Sequence, residues 1–188
     1  TELDVFLTYR IRLYNESVDY KVKINRINDY IDSSLGAPIT AEVMRYVESE
    51  DGKEVRDIIS IATPSTLDGS RDKISWYDTQ ESVTGSDGTV YNKFTAELGD
   101  LVLDSNTKAE ILVTVKLEKA TVGELHDAIE IGNKSNIAEI ASYQTFYKED
   151  GKNAGKIDKD SAPGNVNIIA FNEKRYYEDD TDQAPVLE

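Results

Sequence analysis

Apolar and polar residues alternate with a period of two near the start of the chain. Every second residue from Val5 to Leu13 is aliphatic or aromatic, and Thr8, Arg10 and Arg12 fall between them. This period is typical of a strand with one buried face. The pattern therefore predicts a half-buried antiparallel strand here, followed by a turn at residues 15–17 and a second alternating strand over 18–25.

Further strands follow along the chain, and turn-forming residues separate them. They are predicted at 41–48, 57–62, 90–97, 109–118, 136–147, 166–172 and 184–188. Helical signal is sparse, but Thr121 and Glu124 have the spacing of a capping box, which predicts one short helix at about 122–130. Many short strands separated by turns indicate an all-β protein, most simply a β-sandwich.

No internal repeat and no low-complexity linker divides the 188 residues. A chain of this length can bury a sizeable core on its own. We therefore expect one β-sandwich domain over 1–188, with 36–90 as an insertion or excursion between the early and the late strands.

The chain is strongly acidic, with 36 Asp and Glu against 21 Lys and Arg and a formal net charge of -15. Such a field repels phosphate backbones and anionic lipids, so binding to nucleic acid or to a membrane surface is disfavoured. No stretch is long and apolar enough to insert into a membrane. Divalent cations are natural counter-ions, although an acidic coat that serves only solubility is equally common.

The chain has no cysteine and one histidine, His126. Disulfides, thiolate zinc sites and cysteine nucleophiles are therefore excluded, and so is a metal site built from several histidines. The sequence has neither a Gly-x-Ser-x-Gly motif nor a phosphate-binding glycine loop. These observations argue against a catalytic triad and a phosphate-binding site, whereas a pair of carboxylates for glycoside hydrolysis stays open in so acidic a chain.

Two oxygen-rich loops near the end are the strongest candidate for a metal site. Calcium prefers six to eight hard oxygen ligands, which Asp and Asn supply. The candidate ligands in the two loops are Asp158, Asp160, Asn165, Asp179, Asp180 and Asp182. The loops flank the predicted strand 166–172, so they meet only if the chain folds back over 173–178. The alternative is that these side chains cap backbone amides in turns.

Glu139 interrupts an otherwise apolar predicted strand, on the same face as Ile137. A carboxylate on a buried face needs a partner. One interpretation is that Glu139 transfers protons in a self-formed isopeptide bond, with Lys116 as the amine. Lys21 or Lys23 are alternative amines, and Asn167 or Asn172 are candidate acyl partners. The preferred alternative is an exposed glutamate on a sheet edge.

Trp76 and Tyr77 are the candidate ligand-binding residues. Aromatic rings can form the floor of a carbohydrate or peptide groove. Ordinary packing on a sheet face explains them equally well and is preferred.

Several segments, in order along the chain, resemble one known family. These segments are Tyr9–Asn15, Ile27–Leu35, Trp76, Thr107–Val115, Asn136–Ile140, Asp158–Asn165 and Glu178–Asp180. Together they resemble the conserved-repeat, immunoglobulin-like β-sandwich domain of Gram-positive cell-surface and adhesin proteins. The turn at 27–35 lacks the family's proline, and 36–75 and 119–133 fall outside the resemblance.

The resemblance implies an immunoglobulin-like β-sandwich with Greek-key connections. It also implies a stalk or spacer in a secreted, cell-wall-anchored protein, and no enzymatic activity. Segment 176–188 is similar to the calcium-binding linkers between cadherin domains, which implies an exit towards a following domain. The expected partners are neighbouring domains. The alternative function is a module that binds a glycan or a host-matrix ligand through the 36–90 region.

Overall fold

A computed structural model describes residues 5–48, 54–62, 75–98, 101–117, 135–155, 163–164 and 181–185. Regular structure within these ranges is β-strand throughout, and none of their residues forms a helix long and apolar enough to cross a membrane. The strands are β1 (Val5–Asn15), β2 (Tyr20–Asp32), β3 (Leu35–Glu48), β4 (Glu54–Ala62), β5 (Ser75–Thr84), β6 (Val90–Glu97), β7 (Val102–Leu103), β8 (Thr107–Leu117), β9 (Ser135–Tyr147) and β10 (Thr181–Pro185). The helix predicted at 122–130 lies outside the described residues.

The strands form two antiparallel sheets. One sheet has four strands in the order β1-β8-β3-β4. The other has six strands: five follow the order β10-β9-β2-β6-β5, and the short strand β7 also pairs with β2. The predicted all-β class is therefore confirmed. Region 36–90 contributes to both sheets, because β3 is an interior strand of the first sheet and β5 is an edge strand of the second.

The core lies between the two sheets and contains alternate residues of their strands. In β8, Ala109, Ile111, Val113 and Val115 are all fully buried. They pack with residues of the opposite sheet such as Ile27 in one apolar cluster. Burying an aliphatic side chain completely contributes about 1.5–3 kcal/mol, so this largely apolar interface holds the sheets together.

Strand β2 is longer than its sequence pattern predicts. The prediction placed a strand at 18–25 and, from the family resemblance, a turn within 27–35. The strand instead continues to Asp32, and the turn is confined to Ser33 and Ser34. Residues 27–32 are buried on both faces of the sheet, which removes the alternation that marks a half-buried strand.

The start of β1 and the end of β10 lie at the same end of the molecule. Val5 and Leu35 both pair with Leu117, and Leu35 follows directly after β2 ends. In the other sheet, Pro185 pairs with Ser135. The next residue, Asn136, pairs with Ile31 near the end of β2, so Pro185 lies at this end as well. We call this the proximal end. The distal end is formed by the turns at 16–19, 104–106 and 148–150.

Candidate functional site

The ladder between β2 and β9 carries two buried carboxyl groups, one on each face of the sheet. Asn28 pairs with Glu139, and the adjacent Asp29 pairs with Ala138. Because successive residues of a strand face opposite sides, Glu139 shares a face with Asn28. Asp29 projects the other way, into the space between the sheets.

Glu139 is 2% exposed, so the interpretation as an exposed edge glutamate is wrong. The Asn28 amide donates a hydrogen bond to Glu139 Oε2 at 3.1 Å, and the Tyr30 hydroxyl donates to the same oxygen at 3.4 Å. The Thr95 hydroxyl donates to Asn28 Oδ1 at 3.0 Å. We call Asn28, Tyr30, Thr95 and Glu139 the outer cluster. It joins three neighbouring strands, β9, β2 and β6, through side chains.

The electrostatics of the outer cluster keep Tyr30 neutral. Burial, and then the negative charge of Glu139, raise the pKa of the Tyr30 hydroxyl above its usual value. A neutral phenol is a hydrogen-bond donor, which is what the Glu139 carboxylate needs. The cluster is thus a set of matched donors and acceptors in which Asn28, Tyr30 and Glu139 are buried and Thr95 is partly buried.

The structure describes only some of the residues proposed to act with Glu139 in an isopeptide bond. Lys116 is in β8, opposite Phe6 in the four-stranded sheet, whereas Glu139 is in the other sheet. Lys21 pairs with Asp104 at 3.2 Å. Asn167 and Asn172 lie outside the described residues. The pairing of Glu139 with Lys116 stays a prediction.

Asp29 forms the inner pair with Asn136, at the interface between the sheets. Its side chain is fully buried, and Asn136 Nδ2 donates to Asp29 Oδ2 at 3.3 Å. The other oxygens of the pair, Asp29 Oδ1 and Asn136 Oδ1, have no hydrogen-bond partner among the described residues. Burial raises the pKa of Asp29 to about 7, although the hydrogen bond from Asn136 acts in the opposite direction.

Parts of the two acidic loops lie next to each other along β9. The Gly164 amide donates to Ile140 O at 3.2 Å, and Thr181 pairs with Glu139. Gly164 has a φ of 76°, and a side chain there would meet Ala141 O at 3.4 Å, so glycine suits this contact. The structure thus brings a point on the first loop close to the start of β10.

The candidate calcium ligands themselves are mostly not described. Asp182 lies in β10 opposite Ala138. Asp158, Asp160, Asn165, Asp179 and Asp180 fall outside the described residues. Within the part of the chain that the structure describes, no three acidic or histidine side chains are grouped to hold a metal.

No protein-family model matches the chain, and neither does any curated protein or solved structure. Function must therefore be argued from the residues. The remaining candidates are in β5, where Trp76 pairs with Ala96 and Tyr77 pairs with Thr95. Tyr77 is 42% exposed, so its ring is accessible to a ligand.

Sequence reasoning identified Glu139 but missed Asn28, Asp29 and Asn136. A signal was present, because polar residues at 28 and 29 interrupt a stretch that contains Ile27, Tyr30 and Ile31. Neither carboxyl is accessible to a substrate: Glu139 is 2% exposed and Asp29 is fully buried. The two carboxyl groups therefore interact with side chains of the neighbouring strand and not with a bound substrate.

Proposed function

We propose that this chain is a structural module of a bacterial cell-surface adhesin, with an immunoglobulin-like fold and no enzymatic activity. The outer cluster is the observation that carries the proposal. Its hydrogen bonds between side chains link three strands, and the carboxylate at its centre is sealed from solvent. A buried polar network whose hydrogen bonds are satisfied favours one strand register over the alternatives and makes the sheet rigid. A structural module that holds neighbouring domains in place needs such rigidity.

Neighbouring domains of the same surface protein are the partners that this proposal expects, with the chain as a stalk or spacer between them. Within the described residues, the start of β1 and the end of β10 lie together, because Val5 and Pro185 are both at the proximal end. The strands of both sheets span the distance from this end to the distal turns, so the module holds the two ends apart.

An extracellular, wall-anchored location is part of the proposal. The absence of cysteine and the net charge of -15 are compatible with it. Calcium is also part of it: because Gly164 and Thr181 lie near adjacent residues of β9, an ion that bound both acidic loops would fasten them along that strand.

A second candidate is a ligand-binding module, favoured by the exposure of Tyr77 on edge strand β5. A glycan or a host-matrix peptide can stack on an exposed aromatic ring. Under this alternative, Trp76 and Tyr77 would carry the interaction.

One exchange experiment separates the two candidates. The chain is replaced, within the surface protein, by an unrelated β-sandwich of similar length. The structural role predicts that adhesion is retained, whereas loss of adhesion would show that this chain carries the ligand site. Binding of the isolated chain to glycan and matrix arrays, lost in Trp76→Ala, would support the alternative. Brief protease treatment of intact cells tests the location, because a surface module must release its peptides.

A further inference from the structure

We propose that the inner pair is a proton-binding site, in which a proton on Asp29 Oδ1 joins Asp29 to Asn136 as a carboxylic acid–amide pair. Loss of that proton leaves a negative charge between the two sheets. The packing of β2 and β9 against the rest of the core is then sensitive to pH.

The geometry of the pair leaves a place for one proton. Asn136 Nδ2 already donates to Asp29 Oδ2. The two oxygens without a partner, Asp29 Oδ1 and Asn136 Oδ1, are both acceptors when Asp29 is ionised. Protonation turns Asp29 Oδ1 into a donor, and Asn136 Oδ1 is then available to accept. A single proton thereby satisfies both atoms.

The surroundings of Asp29 do not stabilise its charged form. Phe94 of β6 pairs with it directly, and the inner face of β8 is apolar. Two ionisable groups near Asp29 are Tyr9 of β1, in the opposite sheet, and Asp32, on the same strand as Asp29. Burial, and then the charges of Asp32 and Asp29, raise the pKa of Tyr9, and neither group carries a positive charge. No Lys, Arg or His is buried among the residues whose side chains the structure describes. An ionised Asp29 would therefore be an unpaired buried charge, which is strongly unfavourable.

The direction of the pH effect follows from proton linkage. Burial raises the pKa of Asp29 from 3.8 to about 7. The folded protein therefore binds this proton more tightly than the unfolded chain does. Its contribution to stability is complete below about pH 4 and is lost as the pH rises through 7.

The test compares the wild type with Asp29→Asn, which keeps the shape and removes the titration. Urea unfolding is measured for both proteins at pH 5 and pH 8. We divide the unfolding equilibrium constant of the wild type by that of Asp29→Asn at each pH. This ratio should be about 100-fold higher at pH 8 than at pH 5. Asp78→Asn, at an exposed position of edge strand β5, should keep the wild-type pH dependence. Equal pH dependence in the wild type and Asp29→Asn would overturn the proposal.

Infrared spectroscopy gives a second readout that does not depend on stability. At pH 5 the folded wild type should show the C=O stretch of a buried protonated carboxylic acid, which Asp29→Asn lacks. If Asp29→Asn does not fold, the band is followed in the wild type with 13C-labelled aspartate and should disappear at pH 8. Absence of the band at pH 5 would contradict the proposal.

Discussion

Truncation of Glu139 to alanine is expected to destabilise the protein by about 4 kcal/mol. The variant leaves two buried donors, the Asn28 amide and the Tyr30 hydroxyl, without the acceptor they share. Each orphaned donor costs about 1–3 kcal/mol, and the small cavity adds about 1 kcal/mol. The estimate lies near the lower end of that sum because removing a buried charge also relieves its desolvation.

The assay is equilibrium unfolding in urea, followed by circular dichroism at pH 7. With a slope of about 2–3 kcal/mol per molar urea, the midpoint should fall by roughly 1.3–2 M. The matched control is Glu149→Ala, because Glu149 is an exposed glutamate in the 148–150 turn. Its effect should stay within about 0.5 kcal/mol.

A double-mutant cycle shows whether the effect arises from the outer cluster itself. Glu139→Ala is combined with Asn28→Ala, and the coupling energy should be about 1 kcal/mol or more. If Glu139→Ala is no more destabilising than Glu149→Ala, or if the coupling is absent, the outer cluster does not hold the strands together. The structural role proposed for the chain then loses its main support.

Two further predictions concern the proposed calcium site and covalent cross-link. Millimolar calcium should raise the melting temperature, a chelator should reverse the rise, and Asp158→Asn combined with Asp182→Asn should abolish it. An unchanged melting temperature in the wild type would contradict calcium binding. A self-formed lysine–asparagine isopeptide bond releases ammonia and lowers the intact mass by about 17 Da, and Glu139→Ala should abolish this deficit. The full sequence mass in the wild type would contradict the bond.

The sequence predicted most reliably the strands that bury a single face. In β1, Tyr9 and Leu13 are buried while Arg10 and Arg12 are exposed, so the polarity of successive residues matches their environments. The second half of β2 was missed because both of its faces are covered. The alternation within β9 placed Glu139 correctly on the face of Ile137, but its exposure was misjudged. Local sequence does not reveal what covers a strand.

The inner pair was beyond prediction for a geometric reason. Asp29 and Asn136 are 107 residues apart, and they meet only because of the register between β2 and β9. That register shifts twice, between Ile24 and Ile27. A shift of one residue would turn the side chains of a strand to the opposite face. Sequence alone does not fix such irregularities, so it could not specify which polar groups meet in the core.

The most direct test of the proposed structural module is the distance between the start of β1 and the end of β10. Because the chain has no cysteine, spin labels can be placed at introduced cysteines without background. Electron–electron double resonance would compare the pair Phe6→Cys and Ala184→Cys with the pair Val18→Cys and Ala184→Cys. Phe6 is near the start of β1, and Val18 is in the distal turn at 16–19. With about 3.4 Å per strand residue, the Phe6 pair should be shorter by at least about 10 Å. A Val18 pair of equal or shorter distance would contradict this arrangement of the strands, and with it the structural module that is proposed from it.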